Sequence, residues 1–397
     1  MKSIDAISFQ GKKVLVRVDY NVPLNEQFEV TNSTRITRTL NTVHKIINEG
    51  GVAILMSHLG RPKGEVNEKY SLKHIIPTLS EVMEREITFV DNYLTQEGVD
   101  LIHQLKPGSI ALLENLRFDK REEKGDEEFA RQLSLLGDIY VNDAFGTAHR
   151  EHASTATITK FFPGKAYAGY LLYDEVVSLK KVLDDQKPNF TAIIGGSKIS
   201  TKINIVKNLI TKVENLIIAG GMSYTFLKAM GINIADSIVE DDMIPVAEEI
   251  IQLAHLKGVN LYLPVDNVCA DQFDPNANKQ VTTENHIPDG WMGMDIGPKT
   301  IERLTRVVNQ SQTILWNGPV GVFEFDAFGK GTQAIAIAVA SATLGGAFSL
   351  IGGGDTITAV EKYGMSEFCS YISTGGGAML EYLEGITLPG IKALEEN

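Results

Sequence analysis

Short apolar, β-branched runs alternate with amphipathic segments along the whole chain, and this alternation limits the fold more than any single motif does. In the first half the strand candidates are VLVRVDY (14–20), VAILMSH (52–58), ITFVD (87–91), SIALLEN (109–115) and IYVNDAFG (139–146). In the second half they are TAIIGG (191–196), NLIIAGG (215–221), NLYLPVDNV (260–268), TILWNGPVGVF (313–323), FSLIGGGDT (348–356) and SYISTGGGA (370–378). Between them lie segments such as TRTLNTVHKIINEG (37–50) and PVAEEIIQLAHLKG (245–258), with helical spacing of apolar residues. Near-continuous apolar strands are buried on both faces, and strands separated by helices pair in parallel. At 397 residues the chain exceeds one ordinary core. The expectation is an α/β protein of two doubly wound parallel sheets. The division falls in KAYAGYLLYDEVVSLKKVLDDQKPNF (165–190), where a long helical pattern ends at Gln186-Lys187-Pro188.

Charge and cysteine usage narrow the function classes. A formal charge of −13 disfavours nucleic acid and anionic membranes as partners. The two cysteines, Cys269 and Cys369, match no metal spacing and no disulfide framework. MKSIDAISFQGKK lacks a signal-peptide core, and no apolar run approaches the ~20 residues of a membrane span. A cytoplasmic protein is expected. The charge run REEKGDEE (121–128) reads as a solvated helix start or loop.

The strand ends of the two halves differ in chemistry, and ligands of open α/β sheets bind at those ends. RVDYNVP (17–23) closes a core strand with Arg17, Asp19 and Asn21. SHLGRPKGE adds His58 and Arg61, LLENLRF adds Arg117, and NDAFGTAHRE adds His149 and Arg150. Arg35 and Arg38 start the first crossover helix. In a parallel sheet these groups converge on one rim. Arginines gathered there require a counter-anion with several oxygens, because guanidinium matches carboxylate and phosphate in bidentate fashion. Asp19 and Asn21 suit a hydroxyl on the same molecule. The structural alternative is ion pairing within the rim, for example Arg17 with Asp143. His58 is read as an anion binder rather than a general base, since no nucleophile lies beside it.

The second half ends its strands in glycines. GGSKISTKI (195–203) runs from strand to helix, with Ser200 as a candidate N-cap. Lys198 and Lys202, one turn apart, are expected on the same helix edge, where two ammonium groups near a helix start either call for an anion or, taken alone, read as two solvated lysines. AGGMSYTF (219–226), IGGGDT (351–356) and STGGGAM (373–379) repeat the strand–glycine–helix pattern. Glycines let backbone N–H groups approach a phosphate or a flat base. Asp355 is a candidate Mg²⁺ ligand together with phosphate oxygens. WNGPVGVFE (316–324) supplies Asn317 and Pro319 against a nucleotide and Glu324 for a ribose hydroxyl. No GxxxxGK[ST], no HRD or DFG set and no strict GxGxxG with a following acid is present.

RVDYNVP, SHLGRPKG, ENLRF, NDAFGTAHR, GGSKISTKI, GGMSYTFL, WNGPVGVFE, GGGDT and STGGGA occur in the order found in phosphoglycerate kinases, and from about residue 2 to the C-terminus the chain resembles the bacterial-type members of that family. It departs from the family pattern at Thr201, where many members have Asp, and at Asn32 and Ser33, where acids are common.

The resemblance implies two Rossmann-like domains joined by a hinge and an interdomain helix. Residues 1–170 would bind 3-phosphoglycerate or 1,3-bisphosphoglycerate, residues 171–385 would bind MgADP or MgATP, and 386–397 would pack back on the first domain. It implies a monomer that moves the acyl phosphate of 1,3-bisphosphoglycerate to ADP after hinge closure. The substrate contacts carried over are Asp19, Asn21, Arg35, His58, Leu59, Gly60, Arg61, Arg117 and Arg150, with Arg17 shaping the rim. The nucleotide contacts are Gly195, Gly196, Lys198, Lys202, Gly220, Gly221, Asn317, Pro319, Glu324, Gly353, Gly354, Asp355 and Thr356, with Asp355 at the Mg²⁺. Arg35, Lys198, Lys202, Gly376 and Gly377 would face the transferring phosphoryl group. Two other classes remain open on the residues alone: a dehydrogenase acting on an anionic hydroxy acid, and a non-catalytic two-domain anion binder.

Overall fold

In a computed structural model, which describes residues 1–184 and 188–397, most of the apolar runs form the expected strands, with their polar and glycine residues at or just beyond the strand ends. The strands are β1 (Lys13–Val18), β2 (Val52–Met56), β3 (Ile87–Val90), β4 (Ile110–Leu113), β5 (Ile139–Asp143), β6 (Ala166–Ala168), β7 (Phe190–Ile194), β8 (Asn215–Ile218), β9 (Asn260–Tyr262), β10 (Asn267–Ala270), β11 (Lys279–Val281), β12 (Met292–Ile296), β13 (Thr313–Asn317), β14 (Phe348–Gly352) and β15 (Tyr371–Ile372). β1 is buried from Val14 to Val18, as a strand covered on both faces must be.

The chain divides into two units, Met1–Val177 with Thr387–Asn397, and Ser178–Ile386. The first unit holds a parallel sheet in the order β3-β4-β2-β1-β5-β6. Its core packs Val14, Val16 and Val18 with Val43, Ile46 and Ile47 of the helix Leu40–Asn48. The helix Pro389–Glu395 belongs to this unit: Gly390 N donates to Ala148 O at 2.9 Å, and Ile391 and Leu394 are buried.

The second unit holds a parallel sheet in the order β15-β14-β13-β7-β8-β9 and a separate antiparallel sheet, β11-β10-β12. The expected single strand at 260–268 is in fact two. β9 ends at Tyr262, and after Pro264, which cannot donate to a ladder, the chain leaves for the second sheet as β10. The boundary between the units falls between Val177 and Ser178, inside the helix Tyr170–Leu183. Gln186 and Lys187, where the sequence suggested that this helix ends, lie outside the described residues.

Candidate functional site

In the first unit, the residues after β1, β2, β4 and β5 form a charged cluster. Asp19 is nearly buried and holds Arg35 Nη1 at 2.7 Å, while His58 Nδ1 lies 3.8 Å from its other oxygen. Gly60 is clamped on both sides: its N–H donates to Asn21 Oδ1 at 2.8 Å, and its carbonyl accepts from Arg117 Nη1 at 2.9 Å. A Cβ at Gly60, where φ is +63°, would strike the Tyr70 ring, so the loop tolerates only glycine there. Leu59 is buried beneath it. Arg150 is half-buried with Nε 3.3 Å from His149 Nε2, and Arg61 is exposed on the His58 loop.

Burial and neighbouring charge set the protonation of the cluster. Burial, reinforced by Arg17, Arg117, Arg150 and Arg35, holds the His58 pKa well below the ordinary imidazole range, so the ring is neutral. Burial also lowers the Arg117 pKa to about 10, with Glu123 opposing and Arg150 and Arg17 adding to the shift. Several guanidinium groups therefore stand close enough to feel one another's charge, with Asp19 and Glu123 as their nearest carboxylates.

Three readings of the sequence are revised here: the alternative of an Arg17–Asp143 ion pair, the place of Arg38 on the rim and the uniform solvation of the charge run. Arg17 does not pair with Asp143; its guanidinium turns to Ser154 Oγ (2.8 Å), the Val18 carbonyl and His58 Nδ1 (3.3 Å). Arg38 leaves the rim for the buried Glu175, at 3.7 Å. The charge run 121–128 is solvated at Glu123, Glu127 and Glu128, but Glu122 is fully buried.

In the second unit, backbone amides knit the glycine turns together. Gly195 N donates to Asn317 O (3.0 Å), Gly196 N to Pro319 O (3.0 Å), and Gly220 N to Val320 O (3.2 Å). A Cβ on Gly195 would lie 2.1 Å from Pro319 O, so the close approach of β7 and β13 requires glycine. Lys202 Nζ donates to Asn317 O (3.0 Å) and Asn317 Oδ1 (2.7 Å), and burial lowers its pKa to about 8, opposed by the Asp355 carboxylate. Lys198 is exposed, and the two lysines do not share a helix edge. The helix begins only at Ile203, Lys202 is its N-cap residue, and Ser200 bonds Glu240 instead of capping.

Gly353, with φ +92°, precedes the helix Gly354–Lys362, whose first turn carries Asp355. Thr356 is buried and its hydroxyl accepts from Gly318 N at 2.6 Å. Gly376, with φ +53°, and Gly377 are exposed at the start of the helix Gly377–Leu383.

A cavity of about 540 Å³ lies against these turns, bounded by Gly196, Gly220, Gly221, Pro319, Glu324 and Asp355. Its remaining wall is apolar and includes Tyr224, Phe273 and Met292. Tyr224 was within reach of the sequence, one helical turn beyond Gly220-Gly221. Phe273 and Met292 come from the antiparallel sheet region and carry no motif. Among the described residues no three His, Cys, Asp or Glu side chains are grouped as a metal cage. A Mg²⁺ carried by phosphates needs only one or two protein carboxylates, and the exposed Asp355 fits that demand.

The comparisons with known proteins agree on one family. A family model described as phosphoglycerate kinase matches residues 4–386. The phosphoglycerate kinase of Porphyromonas gingivalis is 49% identical, over 99% of this chain and 100% of its own length. That of Chlorobium phaeobacteroides is 47% identical, over 100% and 99%. The solved phosphoglycerate kinase of Coxiella burnetii superposes with a TM-score of 0.92 at 39% identity, covering 99% of this chain and 98% of that one.

Proposed function

The chain belongs to the phosphoglycerate kinase family, and from that premise we propose that it reversibly transfers the acyl phosphate of 1,3-bisphosphoglycerate to ADP, giving ATP and 3-phosphoglycerate. The observation that carries the reading is the cluster of Arg17, Arg35, Arg117 and Arg150 around the buried His58, an arrangement suited to a substrate with both phosphate and carboxylate.

Asp19 and Asn21 hold the glycerate hydroxyl and carboxylate region. Arg35, His58, Arg61, Arg117 and Arg150 bind the anionic groups, with Leu59 and Gly60 beside them. The cavity of the second unit takes the nucleotide, its base against the glycine turns and its ribose near Glu324. Lys198 and the Gly353–Thr356 segment bind its phosphates. Asp355 holds Mg²⁺, which when bound neutralises charge on those phosphates. Transfer is direct and in line, so catalysis is positioning plus charge stabilisation by Arg35, Lys202 and the amides of Gly376 and Gly377. The proposal includes hinge closure on both substrates, which also excludes water from the acyl phosphate. It includes a monomer acting in the cytoplasm; among the described residues no helix is long and apolar enough to cross a membrane.

The test is ATP-dependent consumption of 3-phosphoglycerate, drawn forward by glyceraldehyde-3-phosphate dehydrogenase and followed as NADH oxidation. Oxidation requiring ATP, 3-phosphoglycerate and Mg²⁺ together is expected. None from folded protein overturns the proposal.

A further inference from the structure

Glu122 stands in the most charged stretch of the chain, yet its side chain is fully buried. Its backbone explains how it is held there: the Glu122 carbonyl accepts from Gly125 N (3.2 Å) and from Ala153 N (3.0 Å), tying the turn to the loop that follows β5. The carboxylate then grips that loop. Oε2 accepts from Ser154 N at 3.0 Å, and Oε1 accepts from Ser154 Oγ at 2.5 Å.

Ser154 passes the interaction on. Its hydroxyl oxygen accepts from Arg17 Nε at 2.8 Å, so its proton turns to Glu122. Arg17 is wholly buried, and Glu122 is the carboxylate that this link places against its charge. The neighbouring acid does a different task, since Glu123 Oε1 faces Arg117 Nε at 3.2 Å. His152 Nδ1, 3.9 Å from Glu122 Oε1, is beyond hydrogen-bond reach and does not compete.

The far end of Arg17 meets His58. Nη1 donates to the Val18 carbonyl, and Nη2 lies 3.3 Å from His58 Nδ1. A guanidinium has only donors, so Nδ1 must be the acceptor and the ring proton must sit on Nε2. Asp19 Oδ1, at 3.8 Å, is too distant to draw the proton to Nδ1, and the other Asp19 oxygen is taken by Arg35. The imidazole is 3% exposed, so the ring has little access to water.

We propose that Glu122, acting through Ser154 and Arg17, is a positioning residue that fixes His58 in the Nε2–H tautomer, so that the ring serves the rim as a neutral N–H donor for an anionic oxygen of the substrate. The inference rests on the proposed function only for the identity of that substrate.

The test combines a spectrum with kinetics. Protein labelled with ¹⁵N-histidine is examined by long-range ¹H–¹⁵N correlation, and the His58 signals are assigned by their loss in His58→Gln. The wild type should show an unprotonated Nδ1 and a protonated Nε2. Ser154→Ala and Glu122→Gln should each shift His58 toward a tautomer mixture and raise the KM for 3-phosphoglycerate about tenfold, with the KM for MgATP changed less than about twofold. Ser154→Thr, which keeps the hydroxyl, should restore both readouts. A proton on Nδ1 in the wild type overturns the inference, as does Ser154→Ala with unchanged tautomer and KM. Should Glu122→Gln not fold, Ser154→Ala decides alone, since it removes one hydroxyl and leaves the carboxylate bonded to the Ser154 amide. A wild type inactive with 3-phosphoglycerate, with the tautomer shift still seen in Ser154→Ala, would sink the proposed substrate and leave this chain of contacts standing.

Discussion

Lys202, to which the proposed mechanism gives a part in phosphoryl transfer, is held by the free protein at a cost. Burial lowers the ammonium pKa from 10.5 to about 8. The folded protein therefore binds fewer protons than the unfolded chain between those values. The contribution to stability is fully present above pH 10.5 and is lost as pH falls through about 8. Urea unfolding should show stability rising with pH across this window in the wild type, and a Lys202→Met variant should lack that rise. On the proposed mechanism the same variant should lose about three orders of magnitude or more in kcat, because the charge that it sets against the transferring group is gone. In the wild type, kcat/KM for MgATP should fall above about pH 8, as the lysine of the free enzyme loses its proton. A variant with wild-type kcat would remove Lys202 from the reaction.

Between elements, the strand ends set what each sheet presents, and two junctions make this measurable. Asp143, the last residue of β5, accepts from Leu172 N in the first turn of the helix Tyr170–Leu183, and burial raises its pKa from 3.8 to about 7. Here the folded state binds more protons, so the stabilising contribution is complete below pH 3.8 and is lost as pH rises through about 7. Relative to Asp143→Asn, the wild type should lose about 2–3 kcal/mol between pH 5 and pH 8 in urea titrations. Parallel curves for the two proteins would refute the shift. At the end of β13, Gly318 has φ +102°, and a Cβ there would lie 2.2 Å from Gly195 O and 2.6 Å from Lys202 Nζ. Gly318→Ala should destabilise by about 3 kcal/mol and abolish MgADP binding in calorimetric titration. Most of this architecture was legible in the sequence. Strands buried on both faces are mostly apolar, and runs of glycines or charged residues gather at their ends. What stayed hidden depends on contacts distant in the chain. The run 121–128 looks uniformly solvated, and only the Ser154 loop and Arg17 make Glu122 an interior residue. The antiparallel sheet was missed because β11 is short and wholly exposed, without the alternation that marks a strand.

For the whole molecule, the notable fact is that the first unit is completed by the last residues of the chain. Each unit has its own core, but Thr387–Asn397 belongs with Met1–Val177, although the whole second unit intervenes in sequence. Leu388, Ile391 and Leu394 are buried there, and Asn397 adds two bonds: its Nδ2 donates to Thr159 O at 2.8 Å, and its Oδ1 accepts from Ala166 N. Burying three aliphatic side chains is worth on the order of 5 kcal/mol. A chain ending at Ile386 should therefore lose stability in one unit only. In scanning calorimetry with ligands, the transition raised by 3-phosphoglycerate should drop by about 10 °C or more, while the transition raised by MgADP keeps its midpoint. An equal fall in both would mean that the terminal segment supports the molecule as a whole. A fall confined to the MgADP-sensitive transition would mean that the segment stabilises the second unit instead. The same truncation separates the two rims functionally, because MgADP affinity should survive in a protein that no longer binds 3-phosphoglycerate at the temperature where its first unit has melted.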